Sequence, residues 1–329
     1  MFLCFMKHLP EFVYRPYLLP GFACRQELQL PLQLYFLYKT EDMTDNPQIN
    51  IKDNCIKCGR CEAVCPVGVF SRDTVSRAVT VVSPGHCIGC GQCVAVCPAS
   101  AISHSLFSDE DIVAYERTAC PSPDDVMLLM KTRRSNRAMS RKPVECALVE
   151  KIIEAAYSSP TAHNSRDLQF TLVSSDDKLR MLTDFTCATY ARTIRRLQSL
   201  FVKPFLSLIK PGVYANVPVM NHVVKSWASG HDNVLRKATA VILISTRRNE
   251  MMSSADAQLA YQNASLMAES LGVAHFYLGY LCAALRLAPG KLEGSLGISG
   301  TIHAAMAIGM PAMRFDKYID RGCPEWSEI

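Results

Sequence analysis

The chain has 329 residues, of which 49% are hydrophobic and 20% charged, with a net charge of +5. That is an ordinary globular balance, with length for about two domains. The mild, scattered positive charge argues against a dedicated nucleic-acid surface, and no apolar run reaches the ~18–20 residues that a membrane span needs.

Residues 1–44 form an uncertain N-terminal extension. Up to residue 42 the chain is rich in Phe, Leu and Tyr and carries Pro10, Pro16, Pro20 and Pro31, while Lys7, Glu11, Arg15, Arg25 and Glu27 interrupt the apolar stretches. It has no ordered n-region, h-region and cleavage site of a secretory signal. The expectation is that Met43 is the true start and that residues 1–42 are disordered or untranslated. A peripheral membrane-contacting arm is the weaker alternative, because the prolines break any amphipathic period.

Residues 45–107 hold eight of the fifteen cysteines. Cys55, Cys58, Cys61 and Cys65-Pro66 recur as Cys87, Cys90, Cys93 and Cys97-Pro98, a period of 87 − 55 = 32 residues. The spacing C-x2-C-x2-C-x3-C-P is that of bacterial two-cluster ferredoxins. Three closely spaced thiolates wrap one [4Fe–4S] cluster, and the fourth, turned away by its proline, ligates the other. One cluster is therefore expected on Cys55, Cys58, Cys61 and Cys97, and the second on Cys87, Cys90, Cys93 and Cys65. Gly59, Gly89 and Gly91 stand where a side chain would crowd the cluster or where φ must be positive. Zinc sites pair two C-x2-C hooks over a longer spacer, and a disulfide knot would need an oxidising compartment. The strand-like Ala78–Val82 segment and the 32-residue repeat predict a pseudo-twofold β-α-β pair. Clusters together with scattered free thiols point to a reducing cytoplasm and an organism or niche with little oxygen.

Residues 108–123 read as a linker rich in Ser, Asp and Pro. Asp124 looks like the cap of a helix through Val126–Met130. The basic turn Lys131-Thr132-Arg133-Arg134-Ser135-Asn136-Arg137 follows, and forked guanidinium donors suit a phosphate, although a solvated basic turn reads equally well in isolation. Pro143-Val144-Glu145 opens a helix with Leu148, Ile152, Ile153 and Ala156 at helical spacing. A polar turn, Ser158-Ser159-Pro160-Thr161-Ala162-His163-Asn164, then leads to a strand at Leu168–Val173. Further on come a strand at Ala240–Ser245, a long apolar helix from Asp256 that continues through His275 to Tyr277-Leu278-Gly279, and Gly309-Met310-Pro311 with Arg321 near the end.

In this order the R-R-S-x-R turn, the S-P-T-A-x-N turn, the long helix and the closing G-x-P strand resemble the nitroreductase family of flavoproteins, over residues 124–329. The whole chain resembles ferredoxin–nitroreductase fusions of anaerobic bacteria and archaea. The resemblance implies an α+β fold: a small 2[4Fe–4S] ferredoxin-type domain, then a flavin domain with a central mixed sheet flanked by helices. It implies non-covalent FMN at a homodimer interface. By motif position, Arg133, Arg134, Ser135 and Arg137 would hold the phosphate, with Arg321 closing over it. Pro160, Thr161, Ala162 and Asn164 would line the flavin ring, usually from the partner subunit, and Leu278 and Gly279 would approach the N5 edge. Arg166-Asp167-Leu168 replaces the family's Gln-Pro-Trp, and Met310 stands where Tyr is common. His275 is either a substrate-side group or a satisfied helix histidine. Segment 190–235, with its cations and aromatics, would supply a lid.

The implied activity is FMN-dependent oxidoreduction without a catalytic side chain. The clusters relay electrons to FMN, which reduces a small organic acceptor (a nitro compound, quinone or activated alkene) by hydride transfer. The donor is NAD(P)H or ferredoxin. No G-x-G-x-x-G opens a βαβ unit, so a separate nicotinamide domain is not expected. The alternative is an iron–sulfur/flavin electron carrier with no small-molecule substrate of its own.

Overall fold

A computed structural model describes residues 46–329; the expectations for the N-terminal extension lie outside the described residues. Two compact units divide the chain. Among the described residues, the smaller comprises 46–120 with 163–165, and the larger 121–162 with 166–329.

The smaller unit is built on the 32-residue repeat. Strand β1 (Ile49–Ile51) precedes the first cysteine run, which contains helix α1 (Arg60–Val64). Strands β2 (Phe70–Arg72) and β3 (Val79–Val81) form a hairpin. The second run contains α2 (Gln92–Ala95) and leads into β4 (Ile102–His104), which returns antiparallel to β1. Gly59 and Gly91 are repeat-equivalent, precede α1 and α2, and have φ of 77° and 72°. That left-handed conformation costs glycine nothing. Cys61, Cys93, Val69, Phe70, Val79, Ile49 and Ile102 form one core, so the two halves share an interior.

The larger unit opens with α3 (Pro123–Thr132). Its cap is Ser122, not Asp124: the Asp125 N–H donates to Ser122 Oγ at 3.2 Å, and Asp125 reaches back to the Ser122 N–H. Pro123 at the first helical position makes the earlier start favourable. Helix α4 (Cys146–Tyr157) leads to β5 (Leu168–Val173). Helices α5 (Asp176–Leu197), α6 (Lys203–Ile209) and α7 (Val217–Ala228) intervene before β6 (Ala240–Thr246). The remainder runs α8 (Ser253–Ser270), β7 (Ala274–Tyr277), α9 (Gly279–Leu287), α10 (Lys291–Leu296) and β8 (Thr301–Gly309).

Two expectations change here. The long helix does not continue through His275. It stops at Ser270, Gly272 takes a φ of 69°, and Ala274–Tyr277 form a strand. A left-handed glycine ends the helix, and the aromatic pair Phe276-Tyr277 favours a pleated surface. The expected mixed sheet is a four-stranded sheet in the order β5-β6-β8-β7, with every adjacent pair antiparallel. Strands β6 and β7 do run parallel, joined by α8, but β8 inserts between them.

Both faces of the sheet are covered. Val241 and Leu243 of β6 point to one core, whereas Ala240, Ile242 and Ile244 point to the other. All seven residues of β6 are buried. On the second face, Ala257, Ala260, Ala264 and Ala268 of α8 are at most 1% exposed, so small residues let this helix lie close against the sheet and α4. His275 is completely buried, and burial lowers its pKa to about 4.

The layering predicts unequal costs along the sheet. Leu243→Ala, at a position 0% exposed, is expected to destabilise the protein by about 2–5 kcal/mol. Leu172→Ala on the outer strand, 42% exposed, should cost less than about 1 kcal/mol. Urea unfolding followed by circular dichroism distinguishes them; equal midpoints would contradict this placement of the core.

Candidate functional site: a thiol-lined cavity and a basic turn

In the smaller unit a cavity is lined by Cys65, Cys87, Cys90 and Cys93, with Pro66, Gly91 and His104 among the remaining walls. Cys65 comes from the first run and the other three from the second, which is the crossed set read from the sequence. Cys55 and Cys58 lie close enough to Cys61 to act on its charge. Burial raises the thiol pKa of Cys61, Cys87 and Cys93, the last to about 11. Metal binding to such thiols must release protons.

Backbone amides point at the sulfurs. Val69 N–H donates to Cys65 Sγ at 3.3 Å, and its repeat-equivalent Ala101 N–H donates to Cys97 Sγ at 3.2 Å. Gly89 N–H donates to Cys87 Sγ at 3.4 Å. Four thiols around one cavity, with N–H groups directed at the sulfur, suit an iron–sulfur cluster, whose sulfurs accept such bonds.

In the larger unit the basic turn follows α3 and is tied to the C-terminal segment. Ser140 N–H donates to the Met310 carbonyl at 2.8 Å. The buried Asn136 donates its amide to the Met313 carbonyl at 3.2 Å. Arg134 Nη2 donates to the Lys317 carbonyl at 2.9 Å and its guanidinium lies 5.4 Å from the Phe315 ring. Lys131 approaches Asp320 at 3.8 Å and the Tyr318 ring at 5.8 Å. These contacts bring the segment carrying Arg321 back to the turn carrying Arg133, Arg134, Ser135 and Arg137.

Arg134 Nε is buried with no partner among the described residues, a donor that a bound anion would satisfy. The Arg137 guanidinium lies 5.6 Å from the Phe276 ring on β7. Tyr261 of α8 stacks edge-on to Tyr277 at 5.0 Å. Burial raises its pKa to about 12, while Arg133 and Arg137 act in the opposite direction. His275 also feels Arg133, and its Nε2 has no partner among the described residues.

At the β7–α9 junction, Leu278 is 1% exposed, with its side chain in the core and its N–H bonded to the Ala305 carbonyl at 2.9 Å. Gly279 is exposed at the start of α9. Only backbone is thus presented at 278–279.

The Pro160-Thr161-Ala162 turn is anchored elsewhere. Ala162 N–H donates to Asp256 Oδ1 at 3.0 Å in the first turn of α8, and Arg166 N–H donates to Thr161 Oγ1 at 3.1 Å. The basic turn is anchored at the other end of the same helix, where Arg134 N–H meets Glu269 Oε2 at 3.4 Å. Thirteen residues of α-helix separate the two anchors, about 20 Å at 1.5 Å per residue. Asn164 belongs to the smaller unit, where its amide donates to the carbonyls of Ile88 at 3.2 Å and Gly89 at 2.9 Å.

Asp256, Glu269, Asn136 and His104 have no role in the sequence reading. Asp256, Glu269 and Asn136 act through partners distant in sequence, and only His104 carries a local signal: it stands where the other half of the repeat has Arg72.

Comparison with known proteins follows the same division. Residues 54–101 match the family model for the 4Fe-4S dicluster domain, so the smaller unit carries two [4Fe–4S] sites. Residues 130–310 match the model of the nitroreductase family. A Bacteroides fragilis nitroreductase structure with bound FMN is 20% identical, covers 62% of this chain and 99% of its own, with a TM-score of 0.46. A Desulfitobacterium hafniense nitroreductase with bound FMN is 16% identical over 62% and 98%, with a TM-score of 0.47. An FMN-dependent nitroreductase from Clostridium difficile is 18% identical over 58% and 91%, with a TM-score of 0.38. Comparison with curated proteins finds no match. With more than half of its length matched by the family model, the chain belongs to the nitroreductase family, carrying a dicluster iron–sulfur domain ahead of it.

Proposed function

We propose that this protein is an FMN-dependent oxidoreductase in which two [4Fe–4S] clusters relay electrons to the flavin for reduction of a small organic acceptor: a nitro compound, a quinone or an activated alkene. The observation that carries the reading is the cavity lined by Cys65, Cys87, Cys90 and Cys93, in one chain with a nitroreductase-family domain. Bound FMN stores two electrons and returns them as a pair by hydride transfer from N5, while [4Fe–4S] clusters pass them singly.

The chain's own residues bind and orient. Cys55, Cys58, Cys61 and Cys97 hold one cluster; Cys65, Cys87, Cys90 and Cys93 hold the other. Arg133, Arg134 and Arg137 supply charge-assisted hydrogen bonds to the FMN phosphate, Ser135 adds a hydroxyl and Arg321 closes over it. The unpaired, buried Nε of Arg134 supports this role. The exposed backbone at Gly279 lets the flavin edge approach, and Pro160, Thr161 and Ala162 border the ring. No side chain acts as nucleophile.

The two anchors about 20 Å apart on α8 support a site composed from two copies of the chain, with the phosphate held by one and the ring bordered by the other. Helix α3 supports a homodimer too: it has no buried residue, and Met127 and Leu128 are each 52% exposed in the single chain. The donor is a reduced ferredoxin or NAD(P)H, and the thiol-rich clusters require a reducing compartment such as the cytoplasm. Among the described residues no helix is long and apolar enough to cross a membrane.

Two outcomes are expected. Replacing Arg133 or Arg137 by Ala should weaken FMN binding roughly tenfold to a hundredfold, the worth of a charge-assisted hydrogen bond, read by fluorescence of the flavin released on ultrafiltration. Unchanged affinity in both would remove them from the phosphate site. The relay is tested by stopped-flow flavin absorbance, with reduced ferredoxin, NADH and NADPH supplied separately to the wild type and to the Cys55→Ser/Cys87→Ser double variant. Flavin reduction by ferredoxin should disappear in the double variant. Unimpaired reduction by every donor there would contradict a relay through the clusters.

A further inference from the structure

His104 ends β4 and is 5% exposed. Its backbone is fixed opposite Ile49 by the β1–β4 pairing, and its ring packs 4.9 Å from that of Phe107. Phe107 in turn lies against Gly91, where an added Cβ would come within 3.1 Å of it. The imidazole is thus clamped beside the second cysteine run. Its two nitrogens have different partners: Leu106 N–H donates to Nδ1 at 3.2 Å, and Nε2 stands 3.4 Å from Cys87 Sγ. Because Nδ1 is occupied as an acceptor, the proton of the neutral ring sits on Nε2. The Nε2–H therefore donates to the sulfur of a cluster ligand.

The other half of the repeat lacks this arrangement. The amide bonds to Cys65 and Cys97 repeat faithfully. The residue equivalent to His104 is Arg72 (104 − 32 = 72), whose Nη2 donates at 2.6 Å to the Lys57 carbonyl rather than to a sulfur. Cys55, the equivalent of Cys87, has no hydrogen bond to its Sγ among the described residues, whereas Cys87 has two, from Gly89 N–H and from His104.

We propose that His104 is a positioning residue that raises the reduction potential of one cluster only, the one held by Cys65, Cys87, Cys90 and Cys93, and so makes the two halves of the repeat electronically unequal. Reduction adds negative charge to the cluster and its thiolates, and a hydrogen bond to a ligand sulfur stabilises that charge. The inference rests on the two-cluster reading.

The test is an EPR-monitored redox titration of the full-length protein with both clusters assembled. In His104→Phe, one of the two cluster signals should become about tenfold harder to reduce, a midpoint about 59 mV lower for one electron. The other should keep its midpoint, and the shifted signal should be the one that Cys65→Ser abolishes. His104→Gln, whose amide can still donate toward Cys87, should recover most of the shift. If the Phe variant does not hold its iron, His104→Asn serves instead: it is too short to reach Cys87 but able to accept from Leu106 N–H. Unchanged midpoints in a variant with full iron, or equal shifts of both signals, would overturn the inference and leave the oxidoreductase reading intact. A wild type without two clusters would instead remove the reading beneath it.

Discussion

The organising constraint of the smaller unit is that Cys65 shares a cavity with three cysteines of the other run. Three thiols in seven residues wrap one side of a cluster, and the proline after the fourth sends it across the repeat. Neither half can then complete a site alone. The antiparallel pairing of β1 with β4 joins the start of the first half to the end of the second, and Cys61 and Cys93 bury themselves in one shared core. Ligands drawn from both halves would couple cluster binding to folding.

The larger unit depends on α8. Its alanine stripe presses it against the sheet, and its two acidic residues, Asp256 and Glu269, hold the polar turn before β5 and the basic turn after α3 at opposite ends. The helix holds those turns about 20 Å apart. Among the described residues, Met127 and Leu128 of α3 are each 52% exposed.

Much of this was legible in the residues themselves. Cysteine spacing follows the cluster's dimensions, so the gathering of Cys65 with Cys87, Cys90 and Cys93 around one cavity was expected before any coordinates. Ala240–Ser245 read as a strand because burial on both faces leaves no alternation to mislead, and the structure extends it by one residue to Thr246. Residues 271–279 were not legible: a continuous apolar run carries no period, and the left-handed turn at Gly272 separates helix from strand where the pattern does not. The insertion of β8 between β6 and β7 is a non-local choice that no window reveals. Asn164 has partners that its motif position does not announce. Its amide is committed to the carbonyls of Ile88 and Gly89, a partner some seventy-five residues away. His104 had only its mismatch with Arg72 to announce it.

In the proposed function, clusters and flavin coexist in one chain and fill from a common source. The most direct measurement is an anaerobic reductive titration of purified, reconstituted protein that counts electron equivalents to full reduction, with iron and FMN assayed on the same sample. The expected result is about eight iron atoms and one FMN per chain, and about four electron equivalents: two for the flavin and one for each cluster. About two equivalents with full iron and no flavin would contradict it, leaving an iron–sulfur electron carrier on a nitroreductase-family fold.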